Sequence, residues 1–335
     1  MASPTLTPTP TPASELAPTG RARQTDRGLD RGFRYLAVAS GLVILLVLAA
    51  VAAFLVIRAL PALQAGTAIS QDVGWISQGQ TLWSVMGPLI FGTVLAALAA
   101  LAMAVPVAIG IALFISHYAP RRLANGLGYL VDLLAAIPSV VYGLWGVMVL
   151  APVLQPVWDF LVRWLGWIPL FAGDSNGNAS NPPRVLLTAA LVLAVMILPI
   201  ITAVSREVFL QTPRLHEEAA LALGATRWEL VRMAVLPFAR SGIISAAMLG
   251  LGRALGETMA VLMVLSPGLL YSFKLLVASQ QQTIAANIAA KFADANTMGV
   301  SALIATGLAL FVITLVVNMA ARAIVARRKD FSGAN

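Results

Sequence analysis

Glu217-Glu218-Ala219-Ala220-Leu221-Ala222-Leu223-Gly224-Ala225-Thr226 is a polar helix-and-turn stretch that runs on to Leu236-Pro237. Directly beyond it, Gly242 to Ser266 is apolar except at its centre, where Arg253-Ala254-Leu255-Gly256-Glu257 stands. The second half is long enough to cross about 30 Å of hydrocarbon, which takes roughly 20 residues as a helix. The first half is too polar to do so. A membrane helix with charge at its middle therefore follows a loop built of short helices, and the rest of the chain reads as support for these two features.

Composition agrees. Hydrophobic residues make up 59% of the 335 and charged residues only 11%, where a soluble domain carries about a quarter charged. The net charge of +8 does not point to nucleic acid, because the Lys and Arg stand in short clusters between apolar spans, a pattern of membrane topology. Cys is absent, which removes disulfides and thiolate metal sites. His117 and His216 are far apart in sequence and have no ligand-like neighbours, so no metal site is expected.

Working outward, residues 1–34 read as a disordered basic tail. Residues 1–20 are Thr, Pro, Ala and Ser with a single charge, Glu15, and cannot bury enough surface to order themselves. Arg21, Arg23, Arg27, Arg31 and Arg34 then precede an apolar run from Tyr35 to Leu60. That run is too long for the h-region of a signal peptide and is expected to be a spanning helix. The membrane core is expected over 86–325, with spans near Pro88–Ser116, Leu127–Leu150, Val185–Val204, Gly242–Ser266 and Ser301–Ile324. With six spans and both termini inside, sixteen of the 22 Lys and Arg fall on the cytoplasmic side and five outside, Arg253 being the remaining one. The outer stretches carry Trp75 and Trp83, then Trp158, Trp164 and Trp167, as interfacial belts do. Thr283 to Ala295 is amphipathic and is expected to be a short outer helix. Pro106, Pro138 and Pro199 fall inside expected spans, where each removes a backbone hydrogen bond and kinks its helix.

In the cytoplasmic loop, placed over 207–240, Ala219, Ala220 and Ala222 allow close approach of a partner surface. Gly224 can end the first short helix with positive φ. Thr226 is the expected N-cap of a second helix, with Glu229 at its N3 position. In the bilayer, Arg253 is the costly residue, and such residues generally face a bundle interior or a polar pathway. On a continuous helix Glu257 lies one turn further on the same face, where it can hold Arg253 until an anion arrives. Gly252 and Gly256 keep the helix thin beside it, and the planar donors of Arg253 match a tetrahedral oxyanion. A structural ion pair is the competing reading. Asp132 is expected near a cytoplasmic helix end.

Glu218-Ala219-Ala220, three residues, Gly224, nine residues and then Ala234-Val235-Leu236-Pro237 resembles the signature loop of ABC importer permeases, whose last four positions usually read Ile-x-Leu-Pro; Ala234 stands where that family has Ile. Gly252-Arg253-Ala254-Leu255-Gly256-Glu257-Thr258-Met259-Ala260 is similar to phosphate-specific permeases of the PstC/PstA family. So are Ala136-Ile137-Pro138-Ser139-Val140-Val141-Tyr142-Gly143, Thr283 to Ala289 and Gly307 to Thr314. Sulfate and molybdate permeases have a related Arg-x-x-Gly-Glu, typically followed by Phe-Gly-Ala; here Thr258-Met259-Ala260 follows. Tyr142-Gly143-Leu144-Trp145-Gly146 and the outer stretch before the second span lean towards the PstC branch.

The resemblance implies an all-α, MetI-like type I importer fold in the bacterial inner membrane, with the chain as transport subunit and not enzyme. It implies Arg253, Glu257, Ser139 and Tyr142 as the substrate path. Glu217, Glu218, Ala219, Ala220, Gly224, Leu236 and Pro237 would then seat an ATPase. The implied partners are a second permease subunit (PstA-like), an ATPase dimer (PstB-like) and an extracytoplasmic phosphate-binding protein (PstS-like), besides membrane lipid. No cofactor is expected on this chain. No Walker Gly-x-x-x-x-Gly-Lys-Ser/Thr occurs, so ATP with magnesium would sit on the separate ATPase. A permease for another oxyanion, or a membrane subunit that docks a partner but transports nothing, are the alternatives.

Overall fold

The computed structural model describes the backbone of residues 27–326 and the side chains from 32 to 323. The expected disorder of residues 1–26 and the basic cluster Arg327, Arg328 and Lys329 lie outside the described residues. The chain falls into two units, 1–54 and 55–335. Thirteen α-helices are found among the described residues, with no strand. They are α1 (Arg27–Gln64), α2 (Ile69–Asp72), α3 (Leu82–Leu113), α4 (Arg121–Ala135), α5 (Ser139–Trp145), α6 (Ala151–Leu165) and α7 (Leu186–Leu210). There follow α8 (Arg214–Ala222), α9 (Arg227–Leu230), α10 (Leu236–Leu255), α11 (Met259–Val264), α12 (Ile284–Lys291) and α13 (Thr297–Ala326). Residues 27–34, expected in the tail, are already helical.

Six helical stretches are long and apolar enough to cross a membrane. Four coincide with the expected spans apart from their ends, and two differ. The third expected span, Leu127–Leu150, is split. Amphipathic α4 ends at Ala135, Pro138 takes φ −58° and ψ 140°, and α5 starts at Ser139. The crossing stretch is Ser139–Leu165, joined through a π-helical turn at Gly146–Leu150. The reason lies in Ile137-Pro138: proline disfavours helical backbone at the residue before it and cannot donate to the turn behind it. Pro138 is thus a boundary and not a kink, whereas Pro106 and Pro199 are accommodated inside α3 and α7. The fifth expected span breaks at Gly256–Thr258, between α10 and α11.

The core of the second unit is α3 against α7, with α10 packed on both. Ala96, Ala100, Ala104, Ala108 and Ala112 form one fully buried stripe along α3, at the four-residue spacing that keeps them on a single helix face. Lipid tails are as apolar as leucine, so membrane helices gain little by hiding apolar surface from each other and gain instead from close packing of small residues. α10 uses the same device: a Cβ at Gly250 would stand 2.7 Å from Cδ1 of Ile201 on α7. Just before the alanine stripe on α3, the Thr93 hydroxyl donates to Leu89 O (2.6 Å) and accepts from Ile284 N (2.9 Å), which fixes the start of α12. The expected short outer helix is therefore α12, seated on α3 and α13.

Candidate functional site

α10 stops because Gly256, at φ −92° and ψ 0°, leaves the helical path. Glu257 then turns its carboxylate forward, and Oε1 accepts from Ala260 N at 3.0 Å. A carboxylate at the N-terminus of a short helix satisfies an orphan N–H and opposes the partial positive charge there. At the other end of α11, Arg184 Nη2 donates to Met263 O (3.0 Å) and Ser266 N donates to Arg184 O (3.0 Å). A six-residue helix is too short to be stable alone. This one is held by an acid at its start and a base at its end, both in the sense that the helix dipole favours.

Neighbouring α5 supports it by contact without side chains. A Cβ at Gly143 would lie 2.9 Å from Cα of Ala260, so the two backbones touch there. Tyr142 is buried, and its hydroxyl donates to Leu134 O at 2.8 Å, tying α5 back to the last turn of α4 across the break. Ser139, the first residue of α5, is half-buried.

Arg253 sits in the last turn of α10, half-buried, with no hydrogen bond or ion pair among the described residues. The expected hold of Glu257 on Arg253 is not observed. The break at Gly256 takes Glu257 out of the register that a continuous helix would give it, and its carboxylate is spent on α11. Neither Gly252 nor Gly256 would bring an added Cβ within 3.4 Å of any neighbour, so the surface beside Arg253 is open. Of the four expected path residues, Tyr142 is tied to Leu134 and Glu257 to Ala260, Ser139 opens the helix that carries Tyr142, and Arg253 is left without a hydrogen bond or ion pair among the described residues. Asp132 is exposed on α4, outside the crossing stretches.

The loop between α7 and α10 forms as its residues dictate. Gly224 has φ +79°, and Ala225 N reaches back to Ala220 O at 3.2 Å to close α8. Thr226 caps α9 with its hydroxyl, and Glu229 Oε2 accepts from Thr226 N at 2.8 Å, a complete capping box. Glu218, Ala219, Ala222, Leu221, Leu223 and Trp228 are exposed. Ala220 is not available to a partner as expected: it is buried with Phe209, Leu230, Val231 and Val235 beneath the hairpin. Leu236 opens α10 and is half-buried against the same cluster, while Pro237 is exposed just beyond a π-helical turn (Val231–Val235), inside the continuous helical stretch Arg227–Leu255. Glu217 faces inward, with Oε1 3.6 Å from His117 Nε2 at the end of the α3 stretch. His117 Nδ1 stands 2.7 Å from Ser116 Oγ, and its ring meets the edge of Phe209.

His117 and Arg184 are thus positioning residues that sequence reasoning missed. Their partners are 100 and 79 residues away, and no local spacing announces such pairs.

Residues 104–330 match the family described as binding-protein-dependent transport system inner membrane component. The chain is 48% identical over 310 residues to phosphate transport system permease protein PstC 2 of Mycobacterium bovis, covering 90% of this chain and 93% of that one. It is 49% identical over 277 residues to PstC of Mycobacterium leprae (82% and 86% covered) and 38% identical over 326 residues to PstC of Xylella fastidiosa (96% and 98% covered). Among solved structures, a chain from a bacterial ABC transporter involved in import of the acidic polysaccharide alginate superimposes with a TM-score of 0.51. Its identity is 16%, and the match covers 89% of this chain and 99% of that one, a likeness of fold alone. With six membrane-length helices and a family match over most of its length, the chain belongs to the inner membrane components of binding-protein-dependent transport systems.

Proposed function

We propose that this chain is the PstC-like permease subunit of an ATP-driven inorganic phosphate importer, with both termini in the cytoplasm of a bacterial cell and α12 on the outer side. One observation carries the reading to a site: Arg253 offers an unpaired guanidinium beside the open faces of Gly252 and Gly256. An unpaired cation at membrane depth is costly, and an oxyanion offsets that cost with charge-assisted, bidentate hydrogen bonds. The names of relatives at 38–49% identity supply phosphate as the anion. Tyr142 and Ser139 flank the passage from α5, and Glu257 and Arg184 keep α11 in place so that Arg253 stays free. The charge census that puts most Lys and Arg on one side supports the orientation.

Coupling follows from the hairpin. Glu218, Ala219, Gly224, Leu221 and Leu223 present a protruding surface to a separate ATPase dimer, which holds ATP and magnesium. Glu217 links that surface to the end of the α3 stretch through His117. A second permease completes the path and a phosphate-binding protein delivers the anion from outside. The chain itself does no covalent chemistry.

The test is radiolabelled phosphate uptake by the assembled complex in proteoliposomes, with ATP inside, binding protein outside and excess sulfate in competition. Uptake that ignores sulfate is expected. Inhibition by sulfate or molybdate would move the substrate to another oxyanion. No uptake of any oxyanion by a well-assembled complex would leave a docking subunit.

A further inference from the structure

α4 joins two membrane-crossing stretches without crossing itself. Leu82–Tyr118 ends just before it, and Ser139–Leu165 begins just after it. A chain that completes one crossing starts the next from the same side, so α4 is confined to one surface of the bilayer. Pro120 stands at its N-cap and Pro138 just beyond its end. Its 15 residues extend about 22 Å.

The side chains of α4 divide into three faces at helical spacing. Ala124, Leu127, Gly128, Val131 and Ala135 form the covered face. There the helix packs on α7, and the Arg206 guanidinium lies directly against Gly128. The rest of the helix surface is exposed and is itself amphipathic. Leu123, Leu130, Leu133 and Leu134 are all exposed and share an arc of about 100°. Arg121, Asn125 and Asp132, also exposed, lie within about 40° of one another on a second stripe. Arg122 and Tyr129 stand between the two stripes, at the border where a guanidinium and a phenol reach headgroup level while their stems lie over apolar surface. Neither Arg121 nor Arg122 forms an ion pair among the described residues. Asp132 is the one acid of α4, and it stands about 15 Å along the axis from Arg122. An exposed apolar stripe, edged by uncompensated arginines and held at a membrane surface, has the polarity pattern of a helix seated in the interface.

We propose that α4 docks on anionic phospholipid, with its leucines in the acyl boundary and Arg121 and Arg122 on the headgroup phosphates. Guanidinium and phosphate make charge-assisted hydrogen bonds, and the negative lipid surface attracts both arginines. The docked helix also anchors the start of α5, because Tyr142 Oη donates to Leu134 O at 2.8 Å. The inference depends on the membrane placement of the chain and not on which anion is carried. Under the orientation proposed above, the leaflet is the cytoplasmic one.

The chain has no cysteine, so one spin label can be placed at a chosen position. The full complex, with no reactive cysteine in its other subunits, is reconstituted in phosphatidylcholine vesicles containing phosphatidylglycerol. Leu130→Cys, Leu133→Cys and Asn125→Cys are labelled in turn, and collisions with oxygen and with a water-soluble nickel chelate are compared. Labels at 130 and 133 should favour oxygen, and the label at 125 should favour the chelate. Labels at 130 and 133 that favour the chelate would put the leucine stripe in water. Labels shielded from both would put it under another protein subunit. Either result overturns the docking. The charge preference is read locally, from photoreactive phosphatidylglycerol crosslinked to the α4 peptide of the same complex. Arg121→Gln with Arg122→Gln should lower this crosslinking by roughly fivefold per arginine, and Arg121→Lys with Arg122→Lys should retain most of it. Crosslinking that is unchanged in the glutamine pair, or displaced as well by unlabelled phosphatidylcholine as by unlabelled phosphatidylglycerol, overturns the assignment to anionic lipid.

Discussion

The hairpin from Arg214 to Leu230 and the broken helix from Leu236 to Val264 adjoin in sequence but obey different rules. In the hairpin the hydrogen bonds that shape the turn and the cap are local: Thr226 with Glu229 and Ala225 with Ala220, around the positive φ of Gly224. In the broken helix the local bond of Glu257 to Ala260 is joined by contacts from distant segments, namely Arg184 on Met263 and Gly143 on Ala260. The hairpin presents a surface, while the broken helix isolates a charge. The lesson is that a motif whose hydrogen bonds close within a few residues carries its geometry with it, and an unpaired cation needs a scaffold assembled from distant segments to keep its partner away.

The largest effect should come from the isolated charge. Arg253→Ala is expected to lower phosphate uptake by about ten- to a hundredfold, the scale of losing hydrogen bonds to a charged group, with assembly unchanged on size exclusion. Unchanged uptake would make the broken helix a scaffold like any other. Next, Gly143→Val forces a side chain against the backbone at Ala260 and should cost about 1–3 kcal/mol, read as a lower melting temperature of the purified complex. A neutral result would mean that α5 does not set the position of α11.

In the hairpin, Gly224→Val puts a β-branched residue at φ +79°. It should cost roughly 1–2 kcal/mol and weaken ATPase co-purification while leaving the permease folded. Thr226→Ala should cost about 1 kcal/mol through the lost cap, and adding Glu229→Ala should do little more, since the two share one capping box. The smallest effect belongs to Glu257→Gln. The amide oxygen still accepts from Ala260, so only the charge–dipole part, about 0.3–1 kcal/mol, is lost and uptake stays near the parent. A collapse of uptake comparable to Arg253→Ala would restore a direct coupling between the two residues and blur the contrast.

The six-helix class and the two-helix hairpin with its glycine turn and its cap were legible in the residues alone. Apolar run length, charge asymmetry and capping chemistry are read over a few to about twenty neighbouring positions, and they need no tertiary partner. Pro138 shows the limit within one stretch. The sequence marks it as a perturbation, but whether a proline kinks a span or ends it depends on what receives the freed groups. Here Tyr142 bridges to Leu134 and α4 packs on α7 outside the crossing stretch. Glu257 shows the same limit for charge, because spacing alone places it on the face of Arg253 and only the break at Gly256 sends it to Ala260. Ala220 differs from Ala219 and Ala222 solely by which side of α8 meets Phe209 and Val235. What the sequence by itself determined is therefore which residues form helices, caps and charges. Which of those charges stay paired, and where a helix stops, was decided only by the tertiary structure, because those outcomes depend on contacts between residues as much as 100 positions apart.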